Sequence, residues 1–241
     1  MKTGLLIRIG IDATSGGWNS PCCLRGFCYV PMGSSDDLTE NYDPEYRPYQ
    51  RAVSALVPAS APAYIRWPRR LPRRGHFDPD FDQLTYGDAA QRAASIRSVL
   101  SDSDERFIVF YAGLRSIHTG KLVYSIIGFY VIDRIVAGPN VPRHEWHRNA
   151  HTRGGGCSDE GTVVLFARRG ASGRLLHHIP IGSYRRRAYR VTGELLDEWG
   201  GLGVKDGYIQ RSVFLPRFLD GERFLRWFWR QKPTLIPKNN P

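Results

Sequence analysis

The stretch His76-Phe-Asp-Pro-Asp80 places an imidazole and two carboxylates within five residues. Such a set can move protons near neutral pH or ligate a metal ion. Pro79 biases the residue before it towards extended backbone, so His76, Asp78 and Asp80 are expected to point the same way. Shortly afterwards, Tyr86-Gly-Asp88 adds an aromatic ring and a third carboxylate. A purely structural reading competes: Asp-Pro commonly starts a turn, and Asp88 is placed to cap a helix over residues 89–100.

Three other places carry candidate chemistry. A strand over Leu5–Ile11 runs into Asp12-Ala-Thr-Ser-Gly-Gly17, a polar Gly-rich loop of the kind that offers backbone N–H groups to an anion. It is neither a Walker A loop nor G-x-G-x-x-G, and a plain turn explains it as well. Arg8 and Asp12 lie four apart on that strand, hence on one face, where a buried pair is expected. His144, His147 and His151 have helical spacing, but the segment lacks an apolar stripe and the H-E-x-x-H pattern. A loop whose His and Asn groups face a polar site is expected there, with an ordinary surface loop as the alternative. Cys22, Cys23, Cys28 and Cys157 form neither a disulfide framework nor a usual zinc spacing, so free thiols are expected and no metal site is assigned.

Positioning these groups falls to a sheet. Residues 107–136 hold two runs rich in Ile, Val, Phe and Tyr, separated by a polar break at 115–121. They read as a long central hairpin, bent near Gly128 because the second run is too long for one flat strand. A buried helix over 122–136 is the competing reading. Gly26–Pro31 reads as a short strand. Thr162–Ala167 and Leu175–Ile181 read as a further hairpin across a turn at 168–173. Helices are expected over 89–100 and over 222–230, where Phe224, Trp227 and Phe228 recur at helical spacing. The fold class is therefore α+β: a bent mixed or antiparallel sheet, partly barrel-like, with few helices. One domain is expected over 1–241, with an irregular Pro- and Arg-rich insert at 33–75 and a tail frayed over 232–241.

The net charge is +11, and only five of the 34 basic residues are lysine. Excess positive charge favours polyanions, and arginine forks onto phosphate oxygens. Two stretches concentrate it. WPRRLPRR supplies Arg69, Arg70, Arg73 and Arg74 beside Trp67, and Ser183–Arg190 supplies Arg185, Arg186 and Arg187 between two tyrosines. Both suit a nucleic-acid backbone with some base stacking, and both suit a solvated surface. No run of 18 apolar residues occurs, and the apolar run near the N-terminus is broken by Arg8. No membrane contact is expected, and the expected location is the cytoplasm.

The sequence resembles the third type of nucleotide modification associated domain, the Nmad group. Arg8, Gly10, Asp12, Gly16, Gly17, His76, Asp78, Asp80, Tyr86, Asp88 and Gly128 carry the resemblance. The Cys-rich piece at 22–28 and the basic insert have no place in that pattern. The resemblance implies a role in phage or bacterial systems that modify DNA bases. DNA or a nucleotide is then the partner, and other base-modification enzymes are candidate partners. It names no cofactor and no reaction. On this reading Asp12, His76 and Asp78 take acid–base roles in a polar pocket. Arg8, Ser15, Gly16, Gly17, Tyr86, Asp88 and Tyr111 line a nucleotide site, with the Gly16-Gly17 loop near phosphate. Asp12 and His76 are expected to converge. The alternatives are a non-catalytic, PUA-like reader that holds a modified base on Tyr111, Trp67 or Tyr86, and a general nucleic-acid binder.

Overall fold

The computed structural model describes residues 2–11, 17–24, 26–33, 47–68, 75–101, 105–211, 213 and 215–240. The chain opens with β1 (Lys2–Arg8) and three short strands, β2 (Pro21–Cys23), β3 (Gly26–Phe27) and β4 (Met32–Gly33). Helix α1 (Arg47–Leu56) lies within the proline-rich segment. Strands β5 (Gly75–His76) and β6 (Thr85–Asp88) bracket the His/Asp motif, and α2 (Ala90–Leu100) follows. The two apolar runs form β7 (Glu105–Ser116) and β8 (Leu122–Ala137). Then come β9 (Val163–Ala167), β10 (Gly173–Pro180), β11 (Gly182–Arg185) and β12 (Ala188–Val191). Helices α3 (Gly193–Trp199) and α4 (Gly221–Arg230) and strand β13 (Leu235–Ile236) complete the described elements.

The long hairpin is the centre of the sheet. β7 pairs antiparallel with β8, while β1 and β2 run parallel along the other edge of β7. The sheet is thus mixed, and strand-dominated as expected. It bends without closing into a barrel. The bend falls near Gly128: Phe110 pairs with Gly128 and Tyr111 with Ile126, leaving Ile127 as an extra residue. A side chain at Gly128 would meet the Phe81 ring at 2.5 Å, so glycine makes room for the residue that follows the His/Asp motif.

Period-two alternation gives the sheet two apolar faces. Ile108, Phe110, Ala112 and Leu114 of β7 enter one core, covered by Ala93, Ile96 and Leu100 of α2. Phe107, Val109 and Tyr111 enter the other, covered by Trp199 and by Phe224, Trp227 and Phe228 of α4. Burying each such phenylalanine contributes roughly 1.5–3 kcal/mol.

Several expectations need correction. Residues 163–167 and 173–180 do not form a hairpin: β9 pairs with β6 and the far half of β8, and β10 with the near half of β8 and β13. A bulged 16-residue strand takes two successive neighbours along one edge, which local turn chemistry does not foretell. The expected strand at 26–31 is split, with only Gly26–Phe27 and Met32–Gly33 in strands. Asp88 does not cap α2, whose N-cap is Ala89 without a side-chain bond. The tail is not frayed where it is described: Asn239 is 3% exposed and its side chain bonds Phe81, Asp80 and Asp82. Asn240 bonds the backbone of Tyr29 in both directions. A terminus whose amides find buried partners is tied down, whatever its proline content.

Candidate functional site

The site begins with the turn that follows β5. The Asp78 N–H reaches the His76 carbonyl at 3.1 Å, and the Asp78–Pro79 peptide is cis. That hydrogen bond turns the chain, which bends at 78–79 instead of running extended, and the three side chains do not share one face as expected. His76 and Asp78 stay together, with Nε2 to Oδ2 at 3.2 Å. Asp80 points elsewhere and pairs with Arg153 at 3.0 Å. Buried tyrosines pin the turn from the core side: Tyr29 donates to the Pro79 carbonyl at 2.8 Å and Tyr130 to the Asp80 carbonyl at 2.9 Å.

A distant segment completes the group. His151 Nε2 lies 2.9 Å from the same Asp78 Oδ2, and its ring packs edge-on against His76 with centroids 4.9 Å apart. The other carboxylate oxygen, Oδ1, accepts from the Gly87 N–H at 2.7 Å and from Asn149 Nδ2 at 3.1 Å. Asn149 is fully buried, and its Oδ1 accepts the His151 backbone N–H at 3.0 Å. One amide thus orients both the carboxylate and the second histidine. Thr85 fixes the same loop by donating to the Arg148 carbonyl at 2.6 Å. Gly87 explains the glycine of Tyr-Gly-Asp: a side chain there would meet His151 Cδ2 at 2.4 Å and Asn149 Oδ1 at 2.7 Å.

The Asp78 side chain is 7% exposed, and those of His76 and His151 are 22% and 24% exposed. A buried anion is thus flanked by two half-buried imidazoles. Burial pushes the Asp78 carboxyl up, but the neighbouring His151 and His76 rings outweigh it and hold the group well below the usual carboxylate range. Asp80 moves the opposite way: burial raises it, and Arg153 and the Asn239 amide offset only part of that. The three ligand atoms of His76, Asp78 and His151 all lie within 4.8 Å of one another. Two imidazoles on one carboxylate can exchange protons with a substrate or share a metal ion.

The remaining candidates are scattered. Asp12, Ser15, Gly16, Arg69, Arg70, Arg73 and Arg74 lie outside the described residues, and with them the expected convergence of Asp12 on His76 and the Arg8–Asp12 pair. Arg8 is buried at the end of β1, where it donates to the Gln210 carbonyl and stands over the Tyr124 ring. Gly17 has the left-handed backbone, φ +71°, that a turn requires. Tyr86 is internal; its hydroxyl donates to Asp88 at 2.6 Å and accepts from Arg92, which also grips Asp88. Tyr111 is fully buried with its hydroxyl on the Ile209 carbonyl. Both rings are buried, which leaves neither open to a base. Arg185 and Arg186 bind Asp206, and Arg187 is exposed. All four cysteines are free, and burial pushes the Cys22 and Cys28 thiols up to about 12.

The sequence expected the His and Asn groups of this loop to face a polar site, but it did not single out His151 or Asn149, and it did not assign Gly87. The spacing of His144, His147 and His151 marked the segment, but nothing local shows which of three histidines turns inward. His144 and His147 stay on the 3-10 turn at Arg143–Arg148, which buries none of its residues.

Fold and site together define a sheet-dominated α+β protein with a His/Asp/His group at the edge of its core. The model of nucleotide modification associated domain 3 matches residues 3–197, about four-fifths of the chain, and the protein belongs to that family. The family ties the chain to nucleotide modification. No curated protein and no solved structure gives a significant match.

Proposed function

We propose that this protein is a catalytic component of a phage or bacterial DNA base-modification system, acting on a nucleotide or modified base at the edge formed by His76, Asp78 and His151. The convergence of two imidazoles from segments far apart in sequence on one buried carboxylate oxygen carries the reading. Active sites concentrate such perturbed groups, and a surface loop has no need of them. Asp12 stays in the proposal as a further acid–base group. Exposed arginines of the β11–β12 hairpin, Arg187 foremost, would meet the nucleic-acid backbone. Tyr86 and Tyr111 are internal, which leaves the half-buried Trp67 as the one ring of the three that the reader alternative could use.

The test is turnover set against binding. His76→Ala, Asp78→Asn and His151→Ala should each abolish modification of DNA in the reconstituted system while leaving salt-sensitive DNA affinity intact. Loss of binding with unchanged turnover per bound complex would make the protein a reader.

A further inference from the structure

We infer that His76, Asp78 and His151 are the protein ligands of a divalent first-row transition metal ion. The alternative is a hydrogen-bonded His–Asp–His cluster, and direction separates the two. Asp78 Oδ2 is buried and has Nε2 of both histidines within 3.2 Å, yet it accepts no aligned hydrogen bond. Its partner oxygen, by contrast, is fully engaged by Gly87 and Asn149. Two ring nitrogens that crowd a buried oxygen without a hydrogen bond to it can share a cation with it, as ligands do.

The spacing agrees. An ion about 2.1 Å from each ligand atom sets neighbouring ligands ~3.0–3.4 Å apart. The Asp78 oxygen stands 3.2 Å from one Nε2 and 2.9 Å from the other. Two imidazoles and one carboxylate favour a transition ion over magnesium or calcium, which take oxygen ligands. The surroundings are those of a metal centre too: the ligating carboxylate is itself held, by a buried amide and a backbone N–H, and that outer layer tunes affinity. The three protein ligands lie on the buried side, and the partial exposure of both rings leaves further coordination positions towards solvent, where a substrate would bind. The inference shares its residues with the proposed function but not its logic, because metal binding needs no substrate.

Chelator-treated full-length protein should be titrated with Co2+, Zn2+, Fe2+ and, as a control, Mg2+, following heat by calorimetry and the visible spectrum of the cobalt form. One equivalent of a transition ion should bind, with no thiolate-to-cobalt charge-transfer band. His76→Ala and His151→Ala remove partly exposed rings and should fold. Each should weaken binding by more than about 100-fold, and Asn149→Ala should weaken it by about 10–100-fold. A folded wild-type protein that takes up no transition ion would overturn the inference. So would stoichiometric binding that both histidine variants retain, or a thiolate band that places the ion at the cysteines. Stoichiometric binding in a protein whose variants keep full turnover would sink the proposed function and leave the metal site standing.

Discussion

Asp78 and Asp206 are both aspartates gripped by several basic side chains, and they do opposite things. Asp206 sits in a turn with a left-handed backbone, φ 53°, and takes Arg185 at 2.5 Å, Arg186 at 3.1 Å and Arg190 at 3.6 Å. The Arg185 hydrogen bond and charge hold its carboxyl below the ordinary range. Arginine never gives up its proton, so the cluster can only tie the β11–β12 hairpin to residues 205–207 and shape the basic cleft of about 710 Å³ lined by Arg186, Arg190, Lys205 and Tyr208. Asp78 is buried and its partners are imidazoles, which can lose a proton or accept a metal near neutral pH. Depth and the nature of the base, not the number of partners, separate a structural tie from a chemical site.

That contrast is open to attack at several points. The largest effect is expected on turnover: Asp78→Asn should lower it by ~10²–10⁴-fold, the range a lost acid–base group spans, whereas Asp206→Asn should leave it unchanged. Equal losses from both variants would erase the distinction.

Next in size are the supports of the site. Gly87→Ala drives a methyl into His151 and Asn149 and should cost about 1–3 kcal/mol in urea unfolding, together with most of the activity. Asn239→Ala leaves the Phe81 N–H and two carboxylates without their amide, for about 1–3 kcal/mol. A tail that contributes nothing would show no change in the unfolding midpoint.

The pH dependence of stability is a smaller effect with a definite sign. His178 is half-buried between the Ser125 hydroxyl and the Cys23 carbonyl, and desolvation depresses its basicity in the folded state. The unfolded chain therefore binds the proton more readily, so stability is complete above pH 6.5, the unfolded value, and falls as pH drops below it. Asp78 is also depressed when folded, so its contribution is complete above pH 3.8 and is lost only below it. Unfolding midpoints should thus fall in two stages, and His178→Gln should flatten the first. A profile that is flat from pH 6.5 to 5 in the wild type would contradict the assignment.

The smallest effect is on DNA affinity. Arg187→Ala should weaken binding evenly across sequences and reduce the salt slope by about one, while Asp206→Asn should raise affinity by removing a negative charge from the patch. Reversal of Arg185 or Arg186 is a poorer probe, because each would repel Asp206 and disturb the hairpin itself.

Much of the scaffold was legible from the chain. The density of Ile, Val, Phe and Tyr over 107–136 marked the central hairpin, Gly128 marked its bend, and the Phe224–Trp227–Phe228 spacing marked the helix over the second core. His76 and Asp78 were legible because they are two residues apart. His151 was not: it meets Asp78 across more than seventy residues, and three histidines of one segment look alike until a fold turns one inward. Tyr86 and Tyr111 misled for the related reason that an aromatic ring is equally suited to a core and to a base.

The sequence by itself therefore determined what is local: element type, from the period of apolar residues; the bend, from Gly128 inside a run too long for one flat strand; the family, from short motifs; and the net positive charge. The tertiary structure alone decided which polar groups share a site, because that depends on contacts between distant segments that no local spacing encodes. Packing chose His151 over its neighbours by giving its ring the space above Gly87, and gave it a partner in Asp78 by burying that carboxylate among two imidazoles, the Asn149 amide and the Gly87 N–H.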